Sequence, residues 1–334
     1  MMSIEELEEG KGSLTEEFPR HSVEGATLPL HATFYPYGYA VQINTNVEDV
    51  LTQYGEMWGR FEKRHTIDPI HIDVQVIEDG SDECPPEPTY RLMYPLMMCV
   101  ANKDNYCIID LDRCSGRIVI TRGTLDQRLY VQYFLLGIPG CIIATRYATP
   151  IHGACIALDG RGVLLCGDSG AGKSTLSYAC ARAGWTYISD DASFLHNGST
   201  ASQVTGDCYK VRFRPASAKF FPELEGLQIT PRAAGKPSIE LSTAPMMHIT
   251  RAQTVPIEYI VFLNRRWQGS PELAPYSKEI ARQSMRQTLF GAVETRRQQH
   301  QAIEQLLRLD VFELRYSSLD WAIDRLHSLM RDGQ

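Results

Sequence analysis

Hydrophobic and polar positions alternate in the first third of the chain in a way that is typical of strands. The aromatic-rich run ATFYPYGYAVQI, which begins at Ala32, predicts one strand, and HIDVQVIE, which begins at His71, predicts another. Between them, apolar residues spaced three and four apart predict a helix over VEDVLTQYGEMWGRFEK, with Asn46 as its N-cap.

The next segments continue this pattern up to about residue 135. The proline-rich run DGSDECPPEPTY predicts a surface loop, and three short strands are predicted after it, in YPLMMCVANKD, NYCIIDLDRCSG and RIVITRG. Residues 29–135 are therefore predicted to form a small α+β domain. The acidic, polar residues 1–28 are predicted to form a loose N-terminal arm.

A change of pattern marks the junction between two predicted domains. The run LDQRLYVQYFLLGIPGCIIATRYAT is helix-like in its first half, and Gly137-Ile138-Pro139-Gly140 is expected to break that helix. We place the junction there, so that residues 136–334 form a second domain. A chain of 334 residues with 43% hydrophobic residues is long enough for two cores.

The second domain opens with a predicted β-hairpin. Two apolar runs, 153–158 and 163–166, flank Asp159-Gly160, and an Asp-Gly pair between such runs is a strong hairpin signal. The strand over 163–166 should therefore pair antiparallel with its predecessor. This pairing argues against the fully parallel sheet of GTPases and ATPase motors, in which a crossover helix separates successive strands.

A phosphate-binding motif follows that strand directly. The eight residues that fit G-x-x-x-x-G-K-S are Gly167, Asp168, Ser169, Gly170, Ala171, Gly172, Lys173 and Ser174. They lie between an apolar strand and the helix-forming run TLSYACARAG, which begins at Thr175, so the backbone N–H groups and the helix N-terminus would face phosphate oxygens. Lys173 should reach the β- and γ-phosphates, and the Ser174 hydroxyl should bind Mg²⁺. The alternative is a glycine-rich structural turn.

Two adjacent carboxylates are expected to return to the nucleotide. The run TYISDD predicts a strand that ends in Asp190 and Asp191, one helix after the P-loop. One aspartate can hold Mg²⁺ and the other can accept a proton from an attacking hydroxyl, and the order of the two roles stays open. The alternative for Asp191 alone is that it caps a following turn.

Basic residues further along supply additional candidates for phosphate contacts. Lys210, Arg212 and Arg214 alternate in a strand-like run, so all three could face a nucleotide, although a solvated strand face is an equal alternative. Lys236 and Arg251 are weaker candidates of the same kind. The remaining patterns predict a strand in IEYIVFLN, helical runs over 277–309, a strand in VFELRYSS and a last amphipathic helix in LDWAIDRLHSLM.

Charge and cysteine content exclude several classes of function. The formal charge is −7 and the basic residues are scattered, which argues against nucleic acid or an anionic membrane as partners. The acidic N-terminus lacks the features of a signal peptide, and a cytoplasmic location is expected. The nine cysteines form no C-x-x-C pair, so a zinc site is not indicated. A homo-oligomer is compatible with the sequence.

The run from His152 to Asp191 resembles the catalytic domain of bacterial HPr kinase/phosphorylase. The resemblance rests on His152-Gly153 at the start of a strand, the Asp-Gly hairpin that leads into GDSGAGKS, the helix end ARAGW, and the strand end SDD. It implies an α/β fold of the phosphoenolpyruvate-carboxykinase-like class with a mixed sheet. It also implies that Asp190 and Asp191 bind metal and act as base, with support from His152, which alone would be read as a structural histidine.

The chain also departs from that family. The family's metal-binding Glu, followed by Arg-Gly-Ile-like residues, is not visible, and GDCYKVRFRPAS occupies roughly that place. The chain looks closer to HPr-kinase-related proteins, a group that includes kinases acting on a serine of a ribosomal peptide precursor. Phosphorylase activity is not predicted.

These observations lead to one main hypothesis and one alternative. The main hypothesis is an ATP-dependent, Mg²⁺-requiring kinase that transfers the γ-phosphoryl group to a hydroxyl, such as serine, of a protein, peptide or small molecule. The alternative is an ATP-binding regulatory or scaffold protein without phosphoryl transfer. The retained lysine and aspartate pair favour the kinase, because a protein that only binds ATP needs no base. A carboxykinase would need an oxaloacetate site, and none is visible.

Overall fold

The computed structural model describes residues 27–78, 84–127, 131–198, 202–230, 237–265, 269–287 and 289–333. The chain divides into two compact units, Met1–Gly140 and Cys141–Gln334, and each contains mixed sheets and helices. Most of the predicted N-terminal arm, 1–28, lies outside the described residues. None of the described helices is long and apolar enough to span a membrane.

Within the part of the chain that the structure describes, the first unit contains a seven-stranded mixed sheet. Its strands are β1 (Leu30–Phe34), β2 (Val41–Thr45), β3 (Ile70–Ile77), β4 (Thr89–Met93), β5 (Leu96–Asn102), β6 (Asn105–Asp110) and β7 (Ser115–Thr121). They lie in the order β1-β2-β3-β7-β6-β5-β4, with β3 parallel to both β2 and β7. The sequence alternation is confirmed in β3, where Ile70, Ile72 and Val74 are buried on one face.

Two predictions at the start of this unit are wrong. The run predicted as one strand forms two antiparallel strands, β1 and β2, because Pro36 begins a 3-10 turn and Tyr37 (φ 53°) and Gly38 (φ 90°) are left-handed. The following helix, α1, spans Glu48–Trp58, and Val47 is its N-cap, without a side-chain bond. Asn46 does not cap it, because its carboxamide bonds to the backbone N–H and C=O of Val76 on β3.

The helical segment at the end of the first unit also differs from the prediction. After the short helix α2 (Arg122–Leu125), a π-helical turn, Gln132–Leu136, continues without a break into α3 (Gly137–Arg146). The predicted break at Gly137–Gly140 is therefore wrong. Pro139 lacks an N–H donor, and the π-helical turn directly before it is the kind of irregularity that lets a helix pass a proline.

The second unit is built on a larger mixed sheet, flanked by helices. In the described residues, nine strands form this sheet and three form a small separate one. The large sheet contains β8 (Ala148–Ile151), β9 (Ala154–Leu158), β10 (Arg161–Cys166), β11 (Thr186–Ser189), β12 (Ser193–His196), β13 (Gln203–Gly206), β17 (Thr254–Asn264), β18 (Glu272–Pro275) and β19 (Asp310–Arg315). The small sheet contains β14 (Lys210–Phe213), β15 (Ile229–Thr230) and β16 (Ser238–Ser242). The helices are α4 (Lys173–Arg182), α5 (Lys278–Arg286), α6 (Val293–Leu306) and α7 (Leu319–Asp332).

The predicted hairpin is confirmed as the pair β9 and β10. Leu158 pairs with Arg161 across a two-residue turn in which Asp159 (φ 51°) and Gly160 (φ 76°) are both left-handed. On its other side, β10 is parallel to β17, and β17 is parallel to β19. The carboxyl ends of these three parallel strands therefore meet at one edge of the sheet, where the P-loop begins.

Alternating side chains of β10 pack into two different helical layers. Val163 and Leu165 belong to the core that contains α4 and α7, whereas Leu164 and Cys166 belong to the core that contains α5 and α6. A strand that is buried on both faces reads as a continuous apolar run, as VLLC does. The sheet is thus held between two helical layers, and the P-loop lies at its edge.

Candidate functional site

The P-loop connects the end of β10 to the first residue of α4. Gly167, Gly170 and Gly172 have φ values of 137°, 89° and 101°, which disfavour any residue with a Cβ atom. A Cβ atom at Gly172 would also lie 2.9 Å from the Tyr316 hydroxyl oxygen. Gly172 gives the N-terminus of α4 no side-chain cap, and the N–H groups in the first turn of a helix are donors that suit an anion.

Lys173 lies folded against the loop that precedes it. Its Nζ donates to the carbonyl oxygens of Gly167 (2.7 Å) and Asp168 (3.2 Å) and lies 3.1 Å from His152 Nε2. Burial lowers the pKa of this ammonium, and the nearby carboxylate of Asp191 opposes that shift. The lysine is thus a buried cation that is held in place by the P-loop backbone.

His152 links this lysine to the aspartate pair. Its Nδ1 lies 3.4 Å from Asp191 Oδ1, while its Nε2 faces the Lys173 ammonium. Because an ammonium group only donates, Nε2 accepts and the ring proton lies on Nδ1, where it faces Asp191. The structure thus brings Asp191, His152 and Lys173 into one row of polar contacts.

Asp190 is held differently from its neighbour. It directly follows β11, is only 8% exposed, and its Oδ2 accepts a hydrogen bond from the backbone N–H of Arg212 (2.8 Å). Burial raises the pKa of Asp190 to about 7; the Arg212 N–H partly offsets this rise, and the Asp191 charge adds to it. The Ser174 hydroxyl lies 3.5 Å from the Asp190 carbonyl oxygen.

These groups line one cleft of about 440 Å³. Arg212 and Arg214, which were predicted from the alternation in KVRFR, both lie in its wall, and the Arg212 Nε donates to Glu240 (3.0 Å). Lys210, the third residue of that run, does not line the cleft and pairs with Asp207 (3.3 Å). Of the weaker candidates, Arg251 also does not line it and donates to the carbonyls of Thr243 and Met246. Lys236 lies outside the described residues.

The residues of this cleft that the sequence reasoning missed include two cations and one aromatic ring, Arg265, Lys219 and Phe220. Arg265 directly follows β17, and its Cδ would lie 3.4 Å from a Cβ atom at Gly172. The guanidinium of Arg265 and the ammonium of Lys219 lie 4.9 Å and 5.0 Å from the centre of the Phe220 ring. Arg265 could have been found, since it ends the predicted strand IEYIVFLN, whereas nothing in the sequence places Phe220 beside the P-loop.

The donor groups suit a nucleotide with Mg²⁺. Glycines without a Cβ atom and the N-terminus of α4 fit phosphate oxygens, while Ser174 and the two aspartates supply the hard oxygen ligands that Mg²⁺ prefers. Among the described residues, no group of three or more His, Cys, Asp or Glu side chains could hold a metal by itself. Mg²⁺ usually needs only one or two carboxylates, with phosphates and water as its other ligands.

Comparison with known proteins finds a weak likeness among solved structures. No protein family and no curated protein matches the chain. Among solved structures, it is similar to the Hpr(Ser) kinase/phosphatase from Coxiella burnetii, with 14% identity and a TM-score of 0.31 over 55% of this chain and 99% of that chain. A likeness of this size does not establish a common fold.

Proposed function

We propose that this protein is an ATP-dependent kinase that transfers the γ-phosphoryl group of ATP to a hydroxyl group. The observation that carries the proposal is the composition of a single cleft. Lys173 of the P-loop, the row of polar contacts from Asp191 through His152, and the buried carboxylate of Asp190 all lie in it. A protein that only binds ATP has no need for a buried carboxylate with a pKa near 7.

The P-loop side of the cleft would bind the nucleotide. The N–H groups between Gly167 and Thr175 would hold phosphate oxygens, and Lys173 would exchange its bonds to loop carbonyls for bonds to phosphate. Arg212, Arg214 and Arg265 add positive charge along the same wall. ATP would supply the transferable group, and Ser174 and Asp191 would hold Mg²⁺, whose charge would neutralise that of the phosphates.

The aspartate side would handle the proton of the acceptor hydroxyl. Asp190 would accept this proton, and a pKa of about 7 is well matched to a general base at neutral pH. His152 would orient Asp191 through Nδ1, while its Nε2 would keep Lys173 near the phosphates. The opposite assignment makes Asp191 the base and Asp190 the metal ligand. The transfer rates of the Asp190→Asn and Asp191→Asn variants distinguish the two assignments.

The proposal also includes the fold class of the second unit and the chemical class of the phosphoryl acceptor. We infer a phosphoenolpyruvate-carboxykinase-like arrangement of the second unit, as in HPr-kinase-related proteins, from the antiparallel hairpin that leads into the P-loop. The acceptor would be a serine or similar hydroxyl of a protein, peptide or small molecule, and the site of action would be the cytoplasm.

Labelled ATP provides the test. The protein is incubated with Mg²⁺, extract of the source cells and ATP labelled at either the γ- or the α-phosphate. The proposal expects label in a protein, peptide or metabolite from γ-labelled ATP only, and a bond that is stable to acid and labile to alkali if serine is the acceptor. Tight ATP binding with no transferred label would instead support the regulatory or scaffold alternative.

A further inference from the structure

A second charged cavity lies on the other helical layer, away from the nucleotide cleft. The end of α5 and one face of α6 form a groove of about 800 Å³, which we call the arginine groove. Among the described residues, its charged lining consists of one glutamate, Glu304, and the four arginines Arg286, Arg296, Arg297 and Arg308. The whole chain carries a net charge of −7, so the groove is a positively charged patch on an acidic protein.

The arginines are not required for packing of α6. Val293, Arg297 and Glu304 recur at helical spacing on the groove face, Arg308 follows the end of the helix, and the opposite face buries Thr295, Gln299, Ile303 and Leu306. Arg296, Arg297 and Arg308 are exposed. The core is thus built from one side of the helix, and the basic side is free to contact something else.

The positive charge of the groove is only partly neutralised. Glu304 accepts from Arg286 and Arg282, both at 2.7 Å, and Arg297 pairs with Glu294 at 3.1 Å. Within the described residues, Arg296 and Arg308 form no ion pair, and the buried Nε of Arg286 has no hydrogen-bond partner. An anionic group would complete these guanidinium contacts.

Apolar surface lies among these charges. Leu289 and Val293 line the groove, and Val293 is 69% exposed. The groove therefore offers guanidinium groups beside an aliphatic surface, which fits a peptide that carries both carboxylates and apolar side chains. A nucleic acid fits less well, because no Phe, Tyr or Trp ring lines the described part of the groove for base stacking.

We propose that the arginine groove docks an acidic segment with apolar side chains from another protein. This inference goes beyond phosphoryl transfer and requires neither nucleotide nor catalysis. The groove shares one helix with the P-loop region, because Ile280 and Gln283 of α5 line a separate cleft of about 460 Å³ against Gly167 and Asp168 of the P-loop.

The test uses a fluorescent peptide of about 15 residues, built from Glu and Leu with Leu at helical spacing. Its binding to the full chain is followed by fluorescence anisotropy, with circular dichroism to verify folding. Arg296→Glu combined with Arg308→Glu should weaken binding about tenfold or more. The matched control is Arg325→Glu combined with Arg331→Glu on α7, which makes the same charge change on the opposite helical layer and should bind as the wild type does.

Three results would overturn the proposal. They are equal binding of a peptide with Gln in place of Glu, equal weakening by the α7 control pair, and tighter binding of a single-stranded oligonucleotide than of the peptide. A peptide with Ala in place of Leu should bind more weakly, and equal binding would remove the apolar part of the proposal. The Lys173→Ala variant should still bind the peptide, because Lys173 does not line the groove. The kinase proposal and the docking proposal can therefore fail independently of each other.

Discussion

The nucleotide cleft and the arginine groove are both basic, but their charges are held in different ways. In the cleft, Lys173 is buried and bonded to loop carbonyls, and Arg212 is tied to Glu240. In the groove, Arg296 on the outer face of α6 and Arg308 just after the end of α6 are both exposed. Preorganised, desolvated charges suit catalysis, whereas exposed charges suit association that salt can screen. Substitutions in the cleft should therefore alter chemistry, and those in the groove only association.

The largest expected effect is that of Asp190→Asn. The variant keeps the shape of the side chain but removes the proton acceptor, so phosphoryl transfer should fall by about 10² to 10⁴ while ATP binding largely survives. In the wild type, the rate should rise with pH through about 7, because the Asp190 carboxyl must lose its proton before it can act as base. This rise should be absent in the variant. Single-turnover rates across pH measure both effects.

Asp191→Asn is the matched comparison for that experiment. It should weaken Mg²⁺ binding, and so raise the Mg²⁺ concentration needed for half-maximal transfer, more than Asp190→Asn does, because Asp191 is the more exposed carboxylate. If both variants transfer phosphate at the wild-type rate, the mechanism is wrong and the binding-only alternative is preferred.

A smaller effect is expected from Lys173→Ala. The substitution removes the cation that faces the β- and γ-phosphates, and the affinity for ATP with Mg²⁺ should fall about 10- to 100-fold, since hydrogen bonds to charged groups contribute about 1.5–3 kcal/mol. Calorimetry measures this change, with exposed Lys63→Ala as the control. Unchanged ATP binding by a folded Lys173→Ala protein would exclude the P-loop as the nucleotide site.

Arg265→Ala tests the cation that the sequence did not reveal. The guanidinium lies against Gly172 and the Phe220 ring, so its removal should weaken ATP binding about tenfold, with a smaller effect than the loss of the buried Lys173. The same titration with Arg331→Ala, at an exposed position on α7, controls for the change in net charge. Equal affinities of the two variants would remove Arg265 from the site.

The smallest effect concerns salt and separates the two regions without any mutation. Raising the salt concentration from about 0.05 M to about 0.5 M should weaken the acidic peptide at the arginine groove several-fold more than it weakens ATP, because exposed charges are screened more than buried ones. Parallel titrations by anisotropy and calorimetry measure the two dependences. A steeper salt dependence for ATP would contradict the contrast between the regions.

The parts of the fold that were predicted correctly are local in sequence. The hairpin follows from Asp159-Gly160, and the P-loop helix follows from glycine spacing, because each depends on a few neighbouring residues. Arg265 and Lys173 are brought together by the parallel pairing of β17 with β10, which no local pattern encodes. The same holds for Asn46, whose local signal for a helix cap was overridden by its bonds to Val76, thirty residues away.

Chain breakers were the other source of error. Gly137 and Pro139 were expected to end a helix, yet α3 continues through both, because the preceding π-helical turn changes the hydrogen-bond pattern that proline would otherwise disturb. Conversely, Pro36 and Gly38 interrupt what alternation alone predicted as a single strand. Proline and glycine restrict the backbone, but their neighbours decide whether an element ends there.

A crystal structure of the protein with Mg²⁺ and a non-hydrolysable ATP analogue tests the central claim most directly. The account predicts that the phosphates lie within the P-loop, that Lys173 Nζ contacts β- and γ-phosphate oxygens, and that the metal is bound by Ser174 and an aspartate of the pair. It also predicts that the guanidinium groups of Arg212 and Arg214 face the phosphates rather than solvent. An analogue bound away from the P-loop at saturating concentration would contradict the account.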